Sequence, residues 1–228
     1  MVQRMSIRGM EAWVAQAGQE ALAGDRVCYL LMPGGLKDDV AAFIEQASEE
    51  HSCTMVVLSG MNWNDDLTPW PAEGVFKEKK PFGGKAREFA IKLEACCTEI
   101  EAQLGISDPS RYLLGISLSG LFAVWVTTCS DSFIGICSIS GSLWYDGFSQ
   151  WFCNQNVRPA IRKIYISLGL REKNSKDRRI ATVEDATGKV VDHLKAQGLE
   201  TMYNLEDCTH FSPIIPRLQD ALDALLNE

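Results

Sequence analysis

Short apolar, β-branched runs alternate along this chain with longer segments in which apolar residues recur every three or four positions. The short runs are Arg26 to Met32, Thr54 to Leu58, Arg111 to Ile116, Ile134 to Ile139, Lys163 to Leu168 and Glu200 to Leu205, each with the length and composition of a strand. None alternates with polar residues at every second position, so both faces of these strands are expected to be buried. The segments of helical period are Asp39 to His51, Lys85 to Leu104, Leu118 to Cys129, Thr182 to Gln197 and Pro213 to Leu226, with Gly105 and Gly198 placed to stop two of them. This βαβα succession predicts an α/β fold in three layers, a mostly parallel central sheet of about six strands with helices on both faces.

Two stretches break the alternation. Ser59 to Gly84, SGMNWNDDLTPWPAEGVFKEKKPFGG, is rich in proline and glycine and longer than an ordinary connection. Ser140 to Pro159, SGSLWYDGFSQWFCNQNVRP, sets aromatics among turn formers directly after a strand. Both read as loop or lid segments, at about 59–84 and 140–160. Their aromatics have two readings: Trp63, Trp70 and Trp144 form part of a substrate-binding roof, or they cover the edge of the core.

The length of 228 residues suits one domain over 1–228 with a core of its own. At 46% hydrophobic and 23% charged residues the composition excludes disorder of the whole chain. A formal charge of -8, with no basic run longer than Lys79-Lys80 or Arg178-Arg179, argues against a nucleic-acid partner. No apolar run approaches the ~20 residues that span a bilayer, and no continuous apolar stretch precedes Arg8 and Glu11. The expectation is a cytoplasmic protein with no membrane partner. The eight cysteines include no CxxC, and Cys28 and Cys137 lie in predicted core strands, which favours reduced, buried thiols over disulfides. Three histidines, His51, His193 and His210, with no HExxH and no cysteine pair at zinc spacing, give no metal site and call for no cofactor. These features are compatible with a homo-oligomer.

Candidate chemistry concentrates at Gly115-Ile116-Ser117-Leu118-Ser119-Gly120, where the strand YLLGI gives way to the amphipathic helix LSGLFAVWVTTC. A serine on such a turn is a nucleophile elbow, which needs small residues two before and two after it because strand and helix nearly touch. Gly115 and Ser119 meet that need, although the strict GxSxG pattern is broken by serine at 119. The plainer reading of Ser117 is a helix N-cap. As a nucleophile it would require a histidine after the last strand, and His210 stands there, with His51 and His193 expected on the solvated surface. The orienting acid should follow the penultimate strand. Glu172 does so, with Asp177 as the alternative. Oxyanion donors would be the amide of Leu118 and those of Gly34 and Gly35, which follow the first predicted strand and could equally be a turn into the next helix.

With GISLSGLFA at the elbow, SGSLWYDGF after the next strand, SLGLREK at the acid and CTHF at the histidine, the chain resembles the esterase branch of the α/β-hydrolase superfamily that includes esterase D-like enzymes and enterobactin (enterochelin) esterases. The resemblance spans most of the chain. It implies Ser117 as nucleophile, His210 as base and Glu172 as acid, in a hydrolase whose partner is a small-molecule ester. Family members often carry glycine shortly before the histidine, where this chain has Asp207-Cys208-Thr209. Residues 1–25 offer no convincing counterpart of the superfamily's first two strands, so a minimal core is expected. Acyl transfer to an acceptor other than water, or a catalytically silent fold that binds a ligand or protein, would use the same scaffold.

Overall fold

The structure, a computed structural model, describes residues 1–18, 26–75 and 80–227. Its main sheet has eight strands: β1 (Gln3–Ile7), β2 (Met10–Gln16), β3 (Arg26–Leu31), β4 (Thr54–Ser59), β7 (Ser110–Ile116), β8 (Gly135–Ile139), β9 (Lys163–Gly169) and β10 (Glu200–Glu206). They lie in the order β1-β2-β4-β3-β7-β8-β9-β10. From β4 to β10 neighbouring strands are parallel, and β2 runs antiparallel to both β1 and β4. The six strands expected from the sequence are β3, β4 and β7 to β10, displaced by a residue or two at their ends.

The expected minimal core is corrected by β1 and β2, which form a hairpin inside residues 1–25. Arg8 and Gly9, at φ 50° and 75°, make its two-residue turn, the backbone that matches the twist of paired strands. Met10, Ala12 and Val14 of β2 are buried while Glu11 and Trp13 between them are not, so the strand alternates as one face of a covered sheet should.

Five of the parallel strands, β3, β4 and β7 to β9, are largely buried on both faces and their side chains sort by parity, whereas β10, at the edge of the sheet, is only partly covered and carries Leu205 exposed, which corrects the expectation for Glu200 to Leu205. Val27, Tyr29 and Leu31 of β3 point into one core and Cys28 and Leu30 into the other. The first core is closed by α3 (Ala86–Leu104), α4 (Leu118–Val126) and α6 (Val183–Ala196), the second by α1 (Asp38–Glu50) and α7 (Ile215–Leu226). These are the five helices of the sequence reading. Gly105 takes the left-handed conformation that ends α3, at φ 72°.

Among the described residues, both irregular segments carry secondary structure of their own. The first holds α2 (Trp63–Asp66) and the short pair β5 (Pro71–Ala72) and β6 (Phe82–Gly83), with residues 76–79 of it outside the described residues, and the second holds α5 (Phe148–Phe152). They pack on each other: Tyr145 donates to the carbonyl of Trp70 (2.5 Å), the Trp70 indole donates to the carbonyl of Asp146 (3.0 Å), and Trp70 meets Tyr145, Phe148 and Trp151 ring to ring. Cys28, Cys53, Cys96, Cys97 and Cys137 are buried free thiols. Among the described residues no helix is long and apolar enough to cross a membrane.

Candidate active site

Strand β7 ends at Ile116 and α4 begins at Leu118, so Ser117 alone makes the turn between them. Its backbone sits at φ 60°, ψ -120°, a conformation that costs a non-glycine residue roughly 1–3 kcal/mol. Three backbone hydrogen bonds hold it there: the Ser117 N–H donates to Ile139 O (3.1 Å), and its carbonyl accepts from Ser142 (2.9 Å) and Leu121 (3.0 Å). The turn is tight because of its small residues. A Cβ on Gly115 would fall on the carbonyl of Ser119, well inside van der Waals contact, and one on Gly120 would meet Gly141 and Ser138. Serine at 119 replaces the glycine of the strict pattern without loss, since its buried hydroxyl donates to Leu31 O (3.1 Å) and accepts from the Ile116 N–H (2.7 Å). Ser119 therefore ties strand to helix. The Ser117 side chain makes no capping bond to α4, which removes the plainer reading of it.

What the Ser117 hydroxyl does meet is His210, whose Nε2 lies 3.2 Å away. On the far side of the same ring, Nδ1 is 2.7 Å from Glu172 Oε2. An ionised carboxylate can only accept, so Nδ1 carries a proton and, in the neutral ring, Nε2 is left free to accept from Ser117. The three side chains come from the C-terminal ends of β7, β9 and β10, which meet at one edge of the sheet, the edge where open α/β sheets bind ligands.

Glu172 is only 7% exposed, and burial by itself would push its carboxyl up. Hydrogen bonds from His210, from the Ser140 hydroxyl (2.5 Å to Oε1) and from the Gly169 amide (2.9 Å to Oε1) outweigh that and hold it below the usual 4.5. Glycine at 169 makes the approach possible, since a Cβ there would come within 2.6 Å of Cys208 O and 3.0 Å of Glu172 Oε1. The loop before His210 folds without glycine: Cys208 O accepts from the Arg171 amide and the Thr209 amide donates to the Ser212 hydroxyl.

Beside this series lies a cavity of about 340 Å³ lined by Ser117, Ser142, Trp144, Ile180, His210 and Phe211 among others. Trp144 is thus the one tryptophan of the three candidates on its wall. Trp63 and Trp70 are packed against the core instead, Trp70 in the aromatic cluster that joins the two lid segments. Phe211 is 90% exposed and stands edge-on to the His210 ring at 5.3 Å. Gly34 and Gly35 follow β3, the neighbour of β7, and have nothing within 4 Å of where a Cβ would stand.

The other candidates are accounted for by different partners. Asp177 accepts from the amides of Arg179 and Ile180 and so caps a turn. Asp207 pairs with Arg171 at the surface. Of the two histidines expected on the solvated surface, His51 is not there and His193 is half-buried. His51 is buried, accepting from the Gln219 amide at 3.2 Å, because α7 packs over the end of α1. His193 donates from Nε2 to Gln155 O (2.8 Å) and stands edge-on to Phe152. Two residues that the sequence reading gave no role in the site, Ser140 and Arg217, stand behind Glu172. Arg217 could have been noticed as a charge on the apolar face of α7, one turn from Ala221.

An eight-stranded, mostly parallel sheet with its serine on a strained strand-to-helix turn defines an α/β-hydrolase fold. Over 97% of its length the chain superposes on an IroE-like serine hydrolase from Shewanella oneidensis (TM-score 0.75, 18% identity, 78% of that chain). It is similar as well to the siderophore hydrolase EstA from Aspergillus nidulans (TM-score 0.70, 19% identity, 96% of this chain and 91% of that one), and to the enterobactin hydrolase IroE in complex with DFP (TM-score 0.69, 18% identity, 100% and 95%). In sequence it is 28% identical over 162 residues to the uncharacterized protein YbbA of Bacillus subtilis, a match covering 68% of this chain and just under two thirds, 65%, of that protein. No established family pattern matches the chain.

Proposed function

We propose that this chain is a serine hydrolase of small-molecule carboxylic esters. The observation that carries the reading is the unbroken hydrogen-bonded series from Ser117 through His210 to Glu172 on the wall of a cavity. A serine hydroxyl is a weak nucleophile until a base takes its proton as it attacks. In the proposed reaction Ser117 Oγ adds to the ester carbonyl while His210 Nε2 accepts the proton, and the ionised Glu172 stabilises the resulting imidazolium. The negative oxygen that forms is received by the amide of Leu118, at the N-terminal end of α4, and by the Gly34-Gly35 turn. Collapse of this intermediate passes the proton from His210 to the departing alcohol and leaves an acyl group on Ser117. Water, deprotonated by the same imidazole, then releases the acid.

The solved structures of similar fold support the reading, being serine hydrolases and siderophore hydrolases, one of them held with DFP. The test is a panel of p-nitrophenyl esters of graded chain length with the wild type, Ser117→Ala and His210→Ala. Turnover by the wild type, and its reduction by several orders of magnitude in both folded variants, is the expected result. A folded wild type that hydrolyses none of the panel, or a Ser117→Ala variant that retains its rate, would contradict the proposal.

A further inference from the structure

The hydrogen-bonded series does not stop at Glu172. Ser140 Oγ, which donates to Glu172 Oε1 at 2.5 Å, itself accepts from Nη1 of Arg217 at 2.7 Å. Arg217 is 3% exposed and uses its other two faces on Ser167 Oγ (Nη2, 3.0 Å) and Glu206 (Nε, 3.0 Å). These partners stand at the C-terminal ends of three adjacent strands: Ser140 just past β8, Ser167 in β9 and Glu206 closing β10. Arg217 itself sits in the first turn of α7. The loop carrying His210 is therefore fastened at both its ends by one side chain, through Glu206 before it and through α7 after it.

The geometry points to Arg217 as a positioning residue for the His210–Glu172 pair, acting through the hydroxyl of Ser140. A hydroxyl has one proton and rotates to suit its neighbours. A guanidinium can only donate, so with Nη1 occupying a lone pair of Ser140, the hydroxyl proton is directed away from it, to Glu172 Oε1. That bond and the Gly169 amide together fill Oε1 and leave Oε2 for His210 Nδ1–H, which fixes both the ring plane and the tautomer that bares Nε2 toward Ser117. Tyr203 and Cys208 also lie within electrostatic reach of the carboxylate, Arg171 shares its cavity wall, and the charge of Arg217 is matched by Glu206. The orienting effect, rather than a net charge, is what the arrangement supplies.

The consequence for rate rests on the hydrolase reading above, whereas the consequence for the imidazole does not, and the experiment reads both. Ser140→Gly removes the hydroxyl at a position whose φ of 47° glycine tolerates, so it keeps the fold even if an arginine variant is unstable. Arg217→Lys keeps the charge but loses the fork that reaches three acceptors. In the wild type, proton NMR should show a downfield His210 Nδ1–H resonance, assigned by its loss in His210→Gln. It should shift or broaden into solvent exchange in both variants. On a small ester, kcat per titrated site should fall roughly tenfold to a hundredfold with KM little changed, the scale of one charge-assisted hydrogen bond. The double variant should be no worse than Ser140→Gly, because the two act as a unit. Absence of the resonance in the wild type, or its persistence unshifted in both variants, overturns the inference even in an active enzyme, as does an unmoved kcat. A protein inert toward esters whose resonance responds as described would sink the hydrolase reading and leave the positioning role standing.

Discussion

Glu172 is buried enough that its charge should be disfavoured, yet three donors converge on it and keep it ionised. A carboxylate held this way can stabilise an imidazolium, while an amide of the same shape cannot and would favour the wrong tautomer. Glu172→Gln is expected to fold and to lose ester kcat/KM by roughly 10⁴, the scale of removing the acid from a triad. Asp177→Asn and Asp207→Asn, a turn cap and a surface pair, should stay near wild type in the same assay. The depressed carboxyl also carries a stability signature. Because the folded state holds its proton less tightly than the unfolded chain, Glu172 contributes stability that is fully present above the unfolded carboxylate's range. That contribution is lost as pH falls through the folded value. Urea midpoints of wild type and Glu172→Gln, followed from neutral to acid pH, should therefore converge as the medium becomes acidic. A gap that widens would show the carboxylate to be a net cost in the folded state.

Among the elements, the strand-turn-helix around Ser117 is the most demanding. Gly115 is under the Ser119 carbonyl, so Gly115→Ala must push β7 and α4 apart. The expected cost is roughly 1–3 kcal/mol or more, read as a lower denaturation midpoint, with activity lost further as the serine moves from its histidine. The same element explains what was legible in the sequence. Doubly buried strands leave apolar runs, amphipathic helices leave a period, and a serine between a strand and a helix leaves glycines, so β3, β4, β7 to β9, five helices and the elbow could all be placed, and β10 was placed although its edge position leaves it only partly buried. The β1-β2 hairpin was not, because its Arg8-Gly9 turn lacks the usual Asn-Gly signature and strands of five and seven residues carry little periodicity. Nor could the tryptophans be sorted. Partial burial of Trp70 depends on Tyr145, Phe148 and Trp151, which are some 75 residues or more away in the chain and joined to it only by folding. Ser140 and Arg217 were hidden for the same reason, since each acquires its meaning from partners on other strands.

At the scale of the whole molecule, a hydrophobic core lies on either side of the sheet, and one of them contains a charged strut. Glu101 of α3, 3% exposed, receives Arg111 of β7 through two hydrogen bonds (2.7 and 2.6 Å) and the Tyr29 hydroxyl of β3 (2.8 Å). Arg111→Met would leave that carboxylate buried without its cation, at a cost of roughly 3–5 kcal/mol. A melting temperature lowered by about 10 °C is expected, with activity per folded site unchanged because the strut stands at the opposite end of β7 from Ser117. The proposed reaction requires that this scaffold activate a single serine. The most direct measurement of that activation is labelling of the intact protein with a fluorophosphonate, followed by peptide mapping of wild type and His210→Ala. One adduct per chain is expected, on Ser117, forming rapidly in the wild type and orders of magnitude more slowly without the imidazole. An adduct on Ser119 or on surface hydroxyls, or labelling of Ser117 at the same rate in His210→Ala, would contradict it.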